Sequence, residues 1–323
     1  MPVTPTYGAI HLIAGVSDKG ERLDTFVATR ISELSRSQAA FLIQSKNIHV
    51  NDQAKKPGYR IQSGDEIRGI IPPPAATTLH PEALDLDILY EDDDVILINK
   101  AAGMVVHPAP GHQNGTLVNA LLHHCPEIGP IGGEMRPGIV HRLDKGTSGV
   151  LVVAKNAAAH THLSAQFAQR SVRKQYQAIV YGNVKEDSGR IDFPIGRHPV
   201  ERKRMSIQSR RPRSAETHWR IRERFKGLTM LELDLKTGRT HQARVHCAAI
   251  GHAIVGDPMY TGRRVGKRLH GDVYALIKPL ERQMLHARQL AFIHPTIGTS
   301  ISFKAALPGD MMQFLEQLSY IAK

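Results

Sequence analysis

The proline run Pro72-Pro73-Pro74, continued by Ala75-Ala76-Thr77-Thr78, most constrains how this chain can fold. Proline fixes φ and has no backbone N–H, so three in succession end both helices and interior strands. With the small and polar residues behind them they read as a semi-rigid extended linker. The 323 residues therefore divide into a small unit and a much larger one, as the length alone would suggest. The expected boundaries are a tail at 1–17, a small domain at 18–71, a linker at 72–82 and a large domain at 83–323.

The small domain reads as two helices followed by short strands. Leu23, Phe26, Val27 and Ile31 recur at helical spacing,. A second helix is expected after Ser35-Arg36-Ser37, whose serines can cap it, burying Ala40, Phe41 and Ile43 or their neighbours,. Ile48 to Asp52 alternates like a strand and ends in turn residues,. The large domain mixes strands with scattered helices. Strands are expected at 94–99, 150–154, 174–181, 217–225 and 228–235, and a short one at Ile139-Val140. Thr240 can cap a helix running to Ala249 and stopped by Gly251,. Many strands with few helices predict an α+β fold, with a mixed, mostly antiparallel sheet, over a parallel βαβ array.

Lys and Arg number 42 against 30 Asp and Glu, a net charge of +12. Such an excess favours a polyanionic partner, nucleic acid first and an acidic membrane surface second. Residues 197–224 alone hold ten Lys/Arg against three acids, an excess of seven. Arg210-Arg211-Pro212-Arg213 reads as a basic loop, and Arg263-Arg264-Val265-Gly266-Lys267-Arg268 as a second,. Two cysteines, Cys125 and Cys247, are too few for a disulfide framework or a Cys-based zinc site,. No leader-like segment and no apolar run of about 20 residues is visible, so a cytoplasmic protein without a membrane contact is expected. His241 and His246 do not share a helical face, so no metal is expected there. A Gly-rich phosphate loop is absent from the sequence, which argues against a nucleotide cofactor and against a nucleotide-dependent methyltransferase.

One segment stands out chemically. In Arg136 to Asn156, "RPGIVHRLDKGTSGVLVVAKN", the charged pair Arg142 and Asp144 is wedged between apolar stretches. A carboxylate there must be paired or hydrogen-bonded, because its burial otherwise costs several kcal/mol (about 2 or more). On spacing alone a turn-bracing salt bridge is the commoner use of such a pair, and a catalytic carboxylate the alternative.

The wording of the segment resembles the signature of the RluA-type pseudouridine synthases, His-Arg-Leu-Asp followed by Thr-Ser-Gly. The stretches 99–122, 173–182, 236–262 and 284–295 resemble further family segments in the same order. "GMVVHPAPG" and the preceding domain are similar to the RluD-like branch. Residues 22–67 resemble an S4 RNA-binding domain, through Arg22-Leu23-Asp24, Ser35-Arg36-Ser37 and the strand into Asn51. Two departures are visible. Gly146 stands where the family usually has Asp, and Ala243 where a larger aliphatic residue is more usual.

The resemblance implies site-specific conversion of uridine to pseudouridine in large-subunit ribosomal RNA. That reaction needs no redox step or external group donor, so no cofactor or metal is expected; no obligate protein partner is evident, and a monomer is the default expectation. Asp144 matches the catalytic aspartate, which could attack the base, attack the sugar or act through a glycal. Arg244 matches the residue that pairs with that carboxylate; a phosphate contact from a first helical turn is the lesser alternative. Tyr176 matches an active-site tyrosine that stacks on uracil, although a strand tyrosine is ordinarily a core residue. Arg142 is implied to fill the space left by a flipped-out uridine, with a plain salt bridge as the alternative. Arg22, Arg36, Lys46, Arg210, Arg211, Arg213 and Arg239 are the further expected RNA contacts,. A non-catalytic RNA-binding factor on the same fold would not need Asp144, Tyr176 and Arg244 together.

Overall fold

The computed structural model describes residues 8–31, 34, 36–71, 79–108, 112–129, 131, 136–262, 269 and 271–321. The expected linker residues 72–78, the capping Ser35 and the basic loop at 263–268 lie outside them. Two compact units meet the division made by the prolines, Met1–Thr78 and Leu79–Lys323.

In the first unit, β1 (Gly8–Ile13), α1 (Leu23–Arg30), α2 (Arg36–Gln44), β2 (Ile48–Val50) and β3 (Glu66–Ile71) follow in order. The sheet runs β1-β3-β2, with both pairings antiparallel. The expected tail at 1–17 therefore needs correction. Gly8, Ile10 and Leu12 turn inward at period two, and the strand pairs residue by residue with β3,. The inward face of α2 also differs from expectation. Ala39, Leu42 and Ile43 are buried and Phe41 is 67% exposed, because an i, i+3, i+4 stripe can follow only one side of a helix,. Leu23, Phe26 and Val27 complete this small core.

The second unit is built on a sheet ordered β4-β5-β6-β13-β7-β12-β11-β8, with β14 beside β13. Its strands are β4 (Ile88–Glu91), β5 (Val95–Lys100), β6 (Ser148–Ala154), β7 (Arg173–Tyr181), β8 (Ser188–Ile191), β9 (Gly196–Arg197), β10 (Met205–Ser206), β11 (Thr217–Phe225), β12 (Leu228–Leu235), β13 (Leu285–Ile293) and β14 (Ser300–Lys304). Strands β9 and β10 form a separate two-stranded ribbon. Its helices are α3 (Leu117–His124), α4 (Ala157–Gln169), α5 (Gln242–Ala249), α6 (Gly271–Ile277) and α7 (Gly309–Ile321). All pairings are antiparallel except β6 with β13, so the α+β reading with a mixed, mostly antiparallel sheet holds. Ile139 makes a single bridge to Val153 and no strand. The expected linker end at 82 also moves. Leu79 already packs on the core, and the Glu82 N–H donates to the Asn119 carbonyl.

Alternation assigns the residues of the central strands to opposite faces. Ile96, Ile98, Leu151 and Val153 pack with Leu117, Val118 and Leu121 of α3. Leu97, Val150 and Val152 pack with Ala159 and Leu163 near α4. Ala178, Leu231 and Leu233 meet Ala243 and Cys247 of α5, while Ile179 and Met230 meet α6 and α7. Tyr176 packs against both the α3 and the α5 clusters, at the seam between them. No helix of the described residues is long and apolar enough to cross a membrane.

Candidate active site

Two backbone approaches bring the signature loop to Tyr176. Gly149, the second residue of β6, has φ +115°, and a Cβ there would lie 2.2 Å from the Ala287 carbonyl oxygen. Only glycine allows that contact, and it lets Gly149 register with Ala287 of β13. On its other side Ala287 registers with Tyr176 of β7. The loop ending in Gly149 and the tyrosine thus flank one residue of β13. Within the loop, Thr147 N–H donates to the Asp144 carbonyl at 3.0 Å. Lys100, only 1% exposed, donates to the carbonyls of Ala101 and Met104 at 2.7 and 2.9 Å and reaches that of Lys145 at 3.4 Å. Burial lowers the Lys100 ammonium to about 7, against the raising pull of the Asp144 charge,.

The partner helix starts differently from expectation. Thr240 does not cap α5. His241 occupies the N-cap in a left-handed conformation, φ 56°, without a side-chain cap bond. The Gln242 carboxamide oxygen braces the turn before the helix, accepting from Arg239 N–H at 3.0 Å and Thr237 Oγ1 at 2.7 Å. This turn aims Arg244 at the signature loop. Its Nη1 donates to Asp144 Oδ2 at 3.1 Å. Its Nε and Nη2 form a two-point bond with Asp257, at 2.7 and 2.9 Å,. Burial would lower the Arg244 pKa, but the bonds to Asp257 and the charge of Asp144 outweigh it and hold the group above its usual range.

Asp144, Arg142, Tyr176 and Arg244 line one cleft of about 510 Å³. The Asp144 side chain is 17% exposed and that of Arg244 5%, so the ion pair is open on the carboxylate side only. Arg142 is exposed and makes no ion pair among the described residues. The salt bridge expected on spacing is therefore real, but its cation is Arg244, a hundred residues away. Burial and the Asp144 charge raise the Tyr176 phenol. It keeps its proton at neutral pH and can stack or donate, but not act as a base. His141 is a scaffold residue. Its Nε2 accepts from Val152 N–H at 3.0 Å, its ring stacks on Phe167, and burial lowers it to about 3.

Arg213 and Arg239 line the same cleft, and Arg210 and Arg211 do not. In the other unit Arg22 and Arg36 both bond to the buried Asp24, which joins the Arg-Leu-Asp and Ser-Arg-Ser segments, while Lys46 is exposed. Sequence reasoning missed Asp257, Lys100 and the ring of His241. The His241 Nδ1 meets Tyr260 OH at 2.8 Å, and its Nε2 lies 3.9 Å from Asp144 Oδ1. An acid directly after the apolar stretch Ala253-Ile254-Val255-Gly256 was the available signal for Asp257,. Asp92, Asp94 and His294 cluster within 4.8 Å of one another. Their groups are already engaged, His294 Nε2 with Asp92 at 2.8 Å and its Nδ1 with backbone N–H groups, so they read as a hydrogen-bond network.

A family model described as RNA pseudouridylate synthase matches residues 94–249, and one described as S4 domain matches residues 21–67. The chain is 44% identical over 96% of its length to the Bacillus subtilis protein "Uncharacterized RNA pseudouridine synthase YlyB", covering 98% of it. It belongs to the RNA pseudouridine synthase family. The enzyme is also 44% identical, over 93% of its length and 94% of the relative's, to "Ribosomal large subunit pseudouridine synthase D" of Zymomonas mobilis. Among solved structures, "Human RNA Pseudouridylate Synthase Domain Containing 4" superposes with a TM-score of 0.58 at 26% identity, covering 72% of this synthase and 92% of that chain. The isomerase therefore carries its matched signature on the loop that forms the cleft floor.

Proposed function

We propose that this synthase, a member of the RluD-like branch, isomerises uridine at specific sites in large-subunit ribosomal RNA. Asp144 is its catalytic carboxylate, and the enzyme acts as a cytoplasmic monomer without a cofactor. The observation that carries the reading is the bond from Arg244 Nη1 to one oxygen of Asp144, at 3.1 Å, on the floor of the cleft. It leaves Oδ1 without a hydrogen bond among the described residues, 3.9 Å from His241 Nε2, and free to meet a substrate. A uridine in structured RNA must be flipped out to reach that floor. Arg142, exposed at the mouth and unpaired among the described residues, suits the role of filling the vacated stack,. Tyr176 offers a ring face for the uracil and a hydroxyl that holds its proton. The ribosomal substrate rests on relatives such as those of Zymomonas mobilis and Pseudomonas aeruginosa, which carry that target in their names.

The test is Asp144→Asn. Wild-type and variant proteins are incubated with unmodified large-subunit ribosomal RNA transcripts, and pseudouridines are mapped chemically. Loss of modification with retained RNA binding is expected. Equal modification by both proteins removes Asp144 from its role.

A further inference from the structure

Four cations in the cleft make no ion pair among the described residues, whereas five arginines elsewhere in the domain do. Arg190, Arg220, Arg222, Arg224 and Arg282 each pair with a carboxylate. Arg170, Lys174, Arg213 and Arg239 all line the cleft and make no ion pair among the described residues. Lys174 is the sharpest case. It is only 7% exposed, two residues before Tyr176 on β7, and its Nζ faces the Phe167 ring at 6.0 Å. Its Nζ bonds to no carboxylate or carbonyl among the described residues, so only the Phe167 ring, the more distant Asp234 charge and whatever enters the cleft can compensate it,. Repulsion is felt within the set, by Arg239 from Arg213 and Arg170 and by Lys174 from Arg170. Arg239 is lowered by burial and by the charges of Arg213 and Arg170, and Lys174 by burial and, against the pull of Asp234, by Arg170 and Lys236.

Arg170 adds a backbone argument. It caps the end of α4 at φ 62°, the left-handed conformation that a glycine adopts without strain,. The arginine therefore holds a conformation that glycine would take more easily, and its side chain lines the cleft. Uracil is neutral and cannot balance these cations, whereas the phosphates on either side of a uridine can. We propose that Arg170, Lys174, Arg213 and Arg239 form a cradle for an RNA phosphodiester adjoining the uridine that reaches Asp144. The inference rests on the reading of the cleft as a synthase site that takes RNA. It also gives the cleft a means of distinguishing a nucleotide within a chain from free uridine.

Arg170→Gly tests this cleanly, because glycine suits the backbone at that position. Binding of an unmodified large-subunit ribosomal RNA transcript is measured by filter retention across a KCl series. Lys226→Gln, an exposed charge loss outside the cleft, serves as the comparison. Arg170→Gly is expected to melt no lower than wild type. It should bind about tenfold more weakly at fixed salt and lower the slope of log K against log[KCl] by about 0.7–0.9. KM should rise more than kcat falls. Should Arg170→Gly fail to fold, Arg213→Gln carries the same comparison. Equal slopes for the cleft variant and Lys226→Gln overturn the cradle. A slope lost in Arg170→Gly, on a transcript that wild type leaves unmodified, supports the cradle and overturns only the ribosomal substrate.

Discussion

Replacing Asp257 by Asn changes little volume, yet it should disable the site from beneath. Asp257 Oδ1 accepts from Arg244 Nη2 at 2.9 Å and from the N–H groups of Met259 and Tyr260 at 2.8 and 3.1 Å. Its Oδ2 accepts from Arg244 Nε at 2.7 Å. A carboxamide has one oxygen. Whichever way it turns, its NH2 faces a donor, either Nε or the backbone pair. With the Asp257 side chain 0% and Arg244 5% exposed, water cannot replace the lost acceptor. Breaking a buried ion pair at one partner costs about 3–5 kcal/mol. At roughly 2–4 °C per kcal/mol for a domain of this size, the melting temperature should fall by about 6–20 °C. The rate should fall as well, because the fork that points Nη1 at Asp144 is then held at one end only. A misplacement of about 1 Å can cost on the order of a hundredfold. Calorimetry reads the first effect. Single-turnover pseudouridine formation, at a temperature where both proteins are folded, reads the second. An unchanged melting temperature refutes the buried-pair reasoning. A lower melting temperature with an unchanged rate refutes the claim that Asp257 orients Asp144 through Arg244.

Two further outcomes follow from the same geometry. Burial lowers His141 to about 3 and His286 to about 4, from an ordinary value of 6.5. The unfolded chain then binds more protons than the native one, so the stability is fully present above pH 6.5 and is lost as the pH falls toward those values. The loss at pH 4.5 is about 2 kcal/mol for each histidine; urea midpoints at pH 7 and pH 4.5 measure it, and His286→Gln should flatten the dependence. Gly146 is the departure from the family signature, and a Cβ there would lie 2.6 Å from Gln283 Oε1 and 3.0 Å from its Cδ. Gly146→Asp should cost about 1–3 kcal/mol of stability, and adding Gln283→Ala should recover about 1 kcal/mol of it. Strict additivity of the two urea shifts would show that Gln283 is not what excludes the side chain.

What could be read from residue order was whatever depends on near neighbours. Strands β11 and β12 lie at the bounds their alternation predicts, and Gly251 ends α5 in a left-handed turn, φ 86°. Ala39 rather than Ala40 facing the core is a finer matter, because both belong to plausible stripes until a sheet is present to choose between them. Strand β1 was missed for the same reason: its alternation is weak, and its partner β3 begins more than fifty residues later. The candidate site is the extreme case. Asp144 reads as half of a local Arg-x-Asp pair, and no local pattern says that Arg142 makes no ion pair among the described residues while Arg244 takes the carboxylate. The place of the signature loop beside Tyr176 is set by β13. Its Ala287 meets Gly149 on one edge and Tyr176 on the other, so residues far apart in the chain share one strand as a spacer. Asp257 then fixes Arg244 from the far side, where no substrate reaches it. Spacing could show that a carboxylate at 144 needs a cation, and the resemblance could say which one. Why that cation points the right way is a property of the sheet.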